Sequence, residues 1–191
     1  MAFHGVVILN ETTSDYNGAY NRTAISGSDI DNGMVFRLDS LTRNFYDSTD
    51  ASEREVWSVS LPSASGSTLS GLWMAYSGDE TAVVAGKYKG LTPDPREFVN
   101  MAGYPFPAIK LAKHDIITMT EDALSGSFVS GSATPFVNAA DGSKLLTWGA
   151  TQTANATSLK LLEVTYISLP TTGAPNSLQR VTAYRFVCVA D

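Results

Sequence analysis

Short runs in which apolar and polar side chains alternate with a period of two restrict the fold of this chain most strongly. They recur in "MVFRLDSL" (34–41), "REVWSVSLP" (54–62) and "LWMAYSG" (72–78). Two further runs, "SLKLLEVTYISLP" (158–170) and "RVTAYRFVCVA" (180–190), are the strongest predicted strands by their β-branched and aromatic content. Successive side chains of a strand point to opposite faces, so this alternation is typical of half-buried strands. No segment carries an apolar i, i+3, i+4, i+7 stripe over three helical turns. The sequence therefore predicts an all-β fold, an antiparallel β-sandwich or barrel.

Turn-forming residues separate these runs. Asp141-Gly142 lies between two short β-runs and predicts a hairpin, because glycine tolerates the positive φ that tight hairpins require. The stretch "AIKLAKHDIITMT" predicts two strands that meet near His114 and Asp115. "LTPDPREFVNMAGYPFP" (91–107) is rich in proline and predicts an irregular crossing with one helical turn near "REFVNM".

Residues 1–32 differ in composition from the rest and are predicted to form an extended N-terminal arm, followed by a single β-domain over residues 33–191. The stretch "NETTSDYNGAYNRTAISGSDIDNG" (10–33) is dense in residues that favour turns or compete for backbone hydrogen bonds. Within the arm, "FHGVVILN" is predicted to pair as an edge strand, and "GVVIL" could extend a neighbour's sheet. We expect deletion of residues 1–25 to leave a folded domain that docks poorly.

Charge and hydropathy exclude several classes of partner. The chain carries 13 basic and 19 acidic residues, and its Lys and Arg residues are scattered singly. It therefore lacks the clustered positive charge that nucleic acids and anionic membrane surfaces require. No apolar run is long enough to span a bilayer, and the N-terminus has no signal-peptide pattern. We expect a protein that is made in a cytoplasm and binds neither nucleic acid nor membrane.

His114 and Asp115 are the first candidates for acid–base chemistry. Neighbours in an extended run point to opposite faces, so Asp115 is poorly placed to orient the imidazole of His114. The sequence contains no G-x-S-x-G nucleophile motif, and its single cysteine, Cys188, lies in a strand-like run that predicts a small buried hydrophobe. We therefore expect His114-Asp115 to shape a turn or strand end, and we expect no catalytic residue and no enzyme activity.

The remaining acidic clusters favour structural roles. Glu121 and Asp122 follow Thr118 and Thr120 and suit the first turn of a capped helix better than a paired-carboxylate site. "DIDNG" (29–33) resembles a calcium loop, but its glycine arrives one place early, so a plain turn is favoured. No Cys/His spacing fits zinc, and we expect neither a metal nor a cofactor. Three N-x-[ST] triplets, which chance explains, begin at Asn10, Asn21 and Asn155.

The three tryptophans leave one alternative open. Alternation places Trp57 with Val59 and Leu61, which predicts a core face. For Trp73 and Trp148 a core position is also favoured. The alternative is a carbohydrate-binding or adhesin module that uses these two rings and exposed tyrosines.

The order of motifs from about Gly33 to Leu146 resembles small β-rich structural proteins of tailed bacteriophages that decorate or cement the capsid. The similarity is carried by "NGMVFRLDSL", "EREVWSVSLP", "GLWMAYSG" and "REFVNMAGYPFPAIKLAKHDIITMTEDALSG", followed by the "FVNAADGSKL" hairpin. Two scaffold patterns stand out, F-x-N-x-A-G and [GH]-D-x-[IF]-x-[IM]-T. They match at Phe98, Asn100, Ala102, Gly103, His114, Asp115, Ile117, Met119 and Thr120. His114 stands where the resemblance leads us to expect glycine.

The resemblance implies a non-enzymatic virion protein on the capsid surface, with the major capsid protein as its partner. We expect a homo-oligomer, with a trimer as the working assumption. An alternative within the same class is a tail or head-to-tail component of the particle. The motifs are structural, so the resemblance assigns no site residue.

Overall fold

The computed structural model describes residues 3–8, 21–42, 56–63, 69–77, 94–128, 131, 135–171 and 174–190. The fold is all-β, as predicted, with only two short 3₁₀ turns among these residues, Pro95–Glu97 and Glu121–Ala123. The strands are β1 (Asn21–Ile25), β2 (Val35–Thr42), β3 (Val56–Ser60), β4 (Trp73–Ala75), β5 (Pro105–Lys110), β6 (Ile116–Thr120), β7 (Leu124–Ser125), β8 (Phe136–Asn138), β9 (Leu146–Gly149), β10 (Ser158–Thr171) and β11 (Ala174–Ala190). In the described part of the chain, no helix is long and apolar enough to cross a membrane.

Five strands close a small barrel in the order β1-β3-β2-β4-β5. The barrel closes because β1 pairs in parallel with β3 on one side and antiparallel with β5 on the other. Phe36 and Phe106 meet edge to face inside it, with ring centroids 5.7 Å apart. This geometry is a favourable arrangement of two aromatic rings.

The other six strands form a sheet in the order β6-β11-β10-β8-β9-β7. Its centre is the long antiparallel β10–β11 hairpin. β11 pairs with β6 only over Ala183–Val187, and β10 pairs with β8 only over Ser158–Lys160. The prediction of antiparallel pairing holds throughout this sheet except between β7 and β9, which run parallel.

The barrel and the sheet share one hydrophobic core. Val35, Met74 and Ile109 come from barrel strands, and they cluster with side chains of the sheet. The sheet residues in this cluster include Ile117, Met119, Val137, Leu146, Leu159 and Phe186. Burial of apolar area contributes about 25 cal/mol per Å² and is the main stabilising term. The two units are therefore packed as one body.

The described parts of residues 1–32 belong to this body. Residues 3–8 lie along the outer edge of β6, where Val7 forms an antiparallel bridge with Met119. Val6 and Val7 are buried in the interior, and residues 21–25 form a barrel strand. Deletion of residues 1–25 would remove that strand and two core side chains, so we now expect it to destabilise the domain. The rest of the predicted arm, residues 1–2 and 9–20, lies outside the described residues.

Most predicted strands coincide with observed ones, and Asp141-Gly142 forms the expected turn, with Gly142 at φ +69°. The predicted core face of β3 was wrong in one respect. Leu61 is 48% exposed, because β3 ends at Ser60, whereas Val56 is buried. The possible strand in "TAVVAGKYKG" (81–90) lies outside the described residues.

Candidate functional site

His114 and Asp115 form the turn between β5 and β6. The amide N–H of Asp115 donates to the carbonyl of Ala112 (3.1 Å), and the Asp115 carboxylate accepts the Ala112 N–H (3.0 Å). His114 has φ +80° and an exposed side chain. Two further backbone bonds join the turn to Cys188 of β11. The expected turn is therefore confirmed, and the positive φ explains why glycine suits this position.

The other histidine lies in a cluster that sequence reasoning missed. His4 Nδ1 is 2.9 Å from Asp31 Oδ1, and both side chains are partly buried. The backbone N–H of His4 donates to the carbonyl of Arg96 (2.8 Å). We call the group Phe3, His4, Asp31, Asp94, Arg96 and Asp122 the junction. No local motif joins its members, because they come from segments up to 119 positions apart in the chain (122 − 3).

Arg96 and Asp94 form the centre of the junction. Arg96 Nε donates to Asp94 Oδ1 (3.0 Å) and Nη2 donates to Oδ2 (2.7 Å). The two side chains are only 4% and 0% exposed. Asp94 also caps the 3₁₀ turn, since Oδ1 accepts the Arg96 N–H. These hydrogen bonds, opposed by burial, raise the pKa of Arg96 above its ordinary value.

Arg96 also joins two parts of the molecule that are distant in sequence. Its guanidinium carbon lies 4.0 Å from the centre of the Phe3 ring, a distance typical of a cation–π contact. Its Nη2 donates to Oε1 of Gln179 on β11 (3.0 Å). The N-terminal strand and the β10–β11 hairpin are thus connected through one buried cation.

Asp122 shows how the structure modifies the predicted helix start. Thr120 does occupy the N-cap position, but its side chain makes no capping bond, because Oγ1 accepts the N–H of Val6 (3.1 Å). Burial raises the pKa of Asp122, and the positive charge of Arg96 opposes this effect. Asp31 adds to the increase. Glu121 and Asp122 therefore lie in a single 3₁₀ turn, Glu121–Ala123, beside the junction, and not at the start of a long helix.

A second surface feature is the outer part of the β10–β11 hairpin. We call residues 162–171 and 174–182 the ribbon. Within the described part of the chain, residues 162–171 pair as a strand only with β11, and residues 174–182 pair only with β10. The ribbon carries four large exposed apolar side chains, Leu162, Val164, Tyr166 and Leu178. The Arg180 guanidinium carbon lies 3.8 Å from the centre of the Tyr166 ring.

Such a ribbon exposes both strand edges and apolar side chains in the described part of the chain. A two-stranded hairpin is marginally stable in water, and unpaired strand edges with apolar side chains are surfaces on which other chains pair or dock. Gln179 ties the ribbon back to Arg96, which restricts its orientation. The ribbon therefore has the properties of a preformed contact surface.

The tryptophans do not share one exposed platform. Trp148 packs against Phe128 and Tyr184, with both pairs of ring centroids 5.2 Å apart. Trp73 packs against the barrel core, with Arg22 over its ring. Both positions agree with the favoured prediction of core packing. Because Trp148 packs against one buried cluster and Trp73 packs against another, the two rings do not form one sugar-stacking platform.

Asn100, in the F-x-N-x-A-G pattern, has a structural role. Its Nδ2 donates to the carbonyl of Ile30 (2.9 Å), and its Oδ1 accepts the hydroxyl of Ser77 (2.5 Å). Asn32 accepts the Ser77 N–H (2.9 Å). Since all three side chains are buried, each bond satisfies a polar group that would otherwise be costly. The pattern therefore fixes the turn at residues 29–33 against the barrel.

The other candidate residues are also placed. The "DIDNG" segment forms the favoured plain turn, with Gly33 at φ +87°. Cys188 is buried, and its Sγ donates to the carbonyl of Ala190 (3.3 Å). Asn21 begins β1 and Asn155 has φ +56°, whereas Asn10 lies outside the described residues.

Among the described residues, no group of three or more His, Cys, Asp and Glu side chains is arranged to hold a metal ion. Comparisons of this chain with protein-family models, with curated proteins and with solved structures found no significant match.

Proposed function

We propose that this protein is a non-enzymatic structural protein of a bacteriophage particle, which binds the outer surface of the capsid and stabilises it. The major capsid protein is its proposed partner, and it acts as a homo-oligomer. The observation that carries the proposal is the ribbon, a strand pair with exposed apolar side chains whose outer edges pair with no other strand in the described residues.

Energetics favour contact with a large, repeated partner. Burial of apolar surface contributes about 25 cal/mol per Å², so a few side chains such as Tyr166 and Leu178 give a modest affinity for one site. Copies that are linked in an oligomer and bind a symmetric lattice gain greatly in avidity without new contacts. A decoration protein therefore needs only a small apolar contact in each copy.

Charge and motif content support the same location. The net charge of −6 is tolerable on the outside of a DNA-filled shell and unfavourable for contact with the DNA inside. The resemblance to capsid decoration proteins over about residues 33–146 rests on scaffold positions, and Asn100, His114 and Asp115 act as scaffold positions here.

The test is co-sedimentation with capsid shells that lack this protein. Tyr166→Ser is expected to weaken binding by about tenfold or more, because it removes an aromatic anchor from the ribbon. Tyr104→Ser is the matched control, since Tyr104 is also 53% exposed but belongs to the turn before β5 and not to the ribbon. Shells that carry the wild-type protein are expected to rupture at a higher temperature than bare shells. Equal binding by the two variants would contradict the proposed role of the ribbon. A wild-type protein that does not bind the shells would contradict the proposed capsid function.

The number of copies per particle separates this function from a tail or head-to-tail component. A shell protein is present in hundreds of copies, whereas a tail component is present in few. Quantitative mass spectrometry of purified particles gives this number directly. The carbohydrate-binding alternative instead predicts a change of tryptophan fluorescence on glycan titration that Trp73→Ala or Trp148→Ala abolishes.

A further inference from the structure

We propose that the groove beside β6 is a strand-acceptor site, and that residues 3–8 of a second copy fill it when copies assemble. The groove is formed by Asp31, Asn32, Arg96, Thr118, Met119, Thr120 and Ala123. In a single chain the same segment fills its own groove. The inference rests on the proposed function only in that it requires copies to lie side by side.

The contacts of the segment make it a separable ligand. The Ile8 N–H donates to the carbonyl of Thr118 (2.8 Å), and the Val6 carbonyl accepts the N–H of Thr120 (2.9 Å). These bonds add an extended segment to the edge of β6 that faces away from β11, which is the mode by which extended peptides join sheets. The partners described above for this segment, among them Asp31, Arg96 and Thr120, lie at least 27 positions away in the sequence. The groove therefore recognises the segment without using the chain that follows it.

The groove also selects the sequence of its ligand. A side chain at Gly5 would place its Cβ 2.5 Å from the carbonyl oxygen of Asn32 and 2.8 Å from Ala123, so only glycine fits. The two residues that precede Gly5 also have specific partners. Phe3 packs on the guanidinium of Arg96, and His4 Nδ1 lies within hydrogen-bonding distance of Asp31 Oδ1. The site thus takes an extended peptide of the form aromatic-His-Gly followed by two small β-branched residues.

The length of the chain permits exchange between copies. Twelve residues, 9–20, separate the segment from β1. A chain of that length spans at most about 40 Å, which is close to the diameter of a folded chain of this size, about 40 Å. Exchange of an identical segment keeps every contact and is a low-cost route to oligomers. A strand held in this way would link neighbouring copies in a ring.

A pair of single-cysteine variants tests this inference. The bonds on either side of Val7 and Met119 make them a non-hydrogen-bonded antiparallel pair, whose Cα atoms lie about 4.5 Å apart and can carry a disulfide. Val7→Cys and Met119→Cys are made separately, each with Cys188→Ser, so that only the introduced thiols react. The two chains are refolded together, oxidised and run on a non-reducing gel. The double variant Val7→Cys/Met119→Cys shows whether the segment docks at all.

Exchange predicts a disulfide-linked heterodimer in the mixture, well above the dimer formed by either variant alone. A bond within one chain of the double variant, with no heterodimer in the mixture, overturns the inference. A second measurement does not depend on the cysteines. Gly5→Ala is expected to lower the fraction of oligomer in light scattering, whereas Gly27→Ala, whose Cβ meets nothing within 4 Å, is expected to leave it unchanged. An oligomer that persists in Gly5→Ala also overturns the inference.

These results are independent of the proposed function. The heterodimer is measured without shells, and shell binding is measured with the wild-type protein. A protein that forms the heterodimer but does not sediment with shells keeps the strand exchange and loses the capsid role. A protein that sediments with shells but forms no heterodimer keeps the capsid role and loses the strand exchange.

Discussion

Arg96 and Asp94 form a buried ion pair with two parallel hydrogen bonds, of 3.0 and 2.7 Å, directly beneath the N-terminal strand. The Phe3 ring contacts the guanidinium, and Gln179 of the ribbon accepts a hydrogen bond from its Nη2. Arg96 therefore contacts both the ribbon, which is the proposed contact surface, and residues 3–8, which are the proposed exchange segment.

The first prediction concerns this pair. Asp94→Ala leaves the buried guanidinium of Arg96 without its carboxylate and is expected to lower the free energy of unfolding by about 3 kcal/mol or more. Urea denaturation measures the change. The double variant Asp94→Ala/Arg96→Met is expected to be less destabilised than the single variant, because it contains no unpaired charge. Additive losses in the double variant would contradict the assigned coupling.

Gly33→Ala is expected to be costly for two reasons. Gly33 has φ +87°, and an added Cβ would lie 2.7 Å from the Cβ of Ala123. Strain and overpacking together are expected to lower the free energy of unfolding by about 3 kcal/mol. Gly71→Ala is the matched control, since Gly71 has φ +69° but no atom within 4 Å of its added Cβ. It is expected to lose only about 1 kcal/mol; similar losses in both variants would show that packing at Ala123 is unimportant.

His114→Gly tests whether His114 is only a turn residue. Its φ of +80° is strained for a side chain with a Cβ, so glycine is expected to raise the free energy of unfolding by up to about 1 kcal/mol. Lys113→Gly, at the neighbouring exposed position, is expected to lower it by about 0.5 kcal/mol. Thermal unfolding of the two variants measures both changes. Loss of shell binding by a stable His114→Gly variant would show that the imidazole has a contact role.

Asp122 predicts a pH dependence. Its folded pKa lies above its ordinary value of 3.8, because burial disfavours the carboxylate. The folded state therefore binds this proton more tightly, and the resulting stability is lost as the pH rises through the folded pKa. Asp122→Asn is expected to be more stable than the wild type at pH 7 by only about a few tenths of a kcal/mol, since Asp122 is exposed and solvent screens its charge. The difference is expected to vanish below pH 3.8 in urea titrations, and a gain that persists there would contradict the assigned cause.

Local signals were sufficient for the strands and for most turns. The alternation in residues 35–42 and 56–60 and the glycine at 142 act over a few residues, so they can be identified in a single sequence. The turn at His114-Asp115 was predicted for the same reason. The end of β3 was placed too late, because alternation continues past Ser60 although pairing does not.

The sequence by itself determined the all-β class, the positions of most strands and the acidic surface, because period, turn chemistry and charge are properties of neighbouring residues. Only the tertiary structure decided that residues 3–8 lie along the edge of β6 with Val6 and Val7 in the core. It also decided that His4 contacts Asp31 and that Arg96 contacts both Phe3 and Gln179. It also decided that the distal parts of β10 and β11 pair with no other strand in the described chain. These contacts join residues far apart in the sequence, and strand order, which no local period specifies, brings them together.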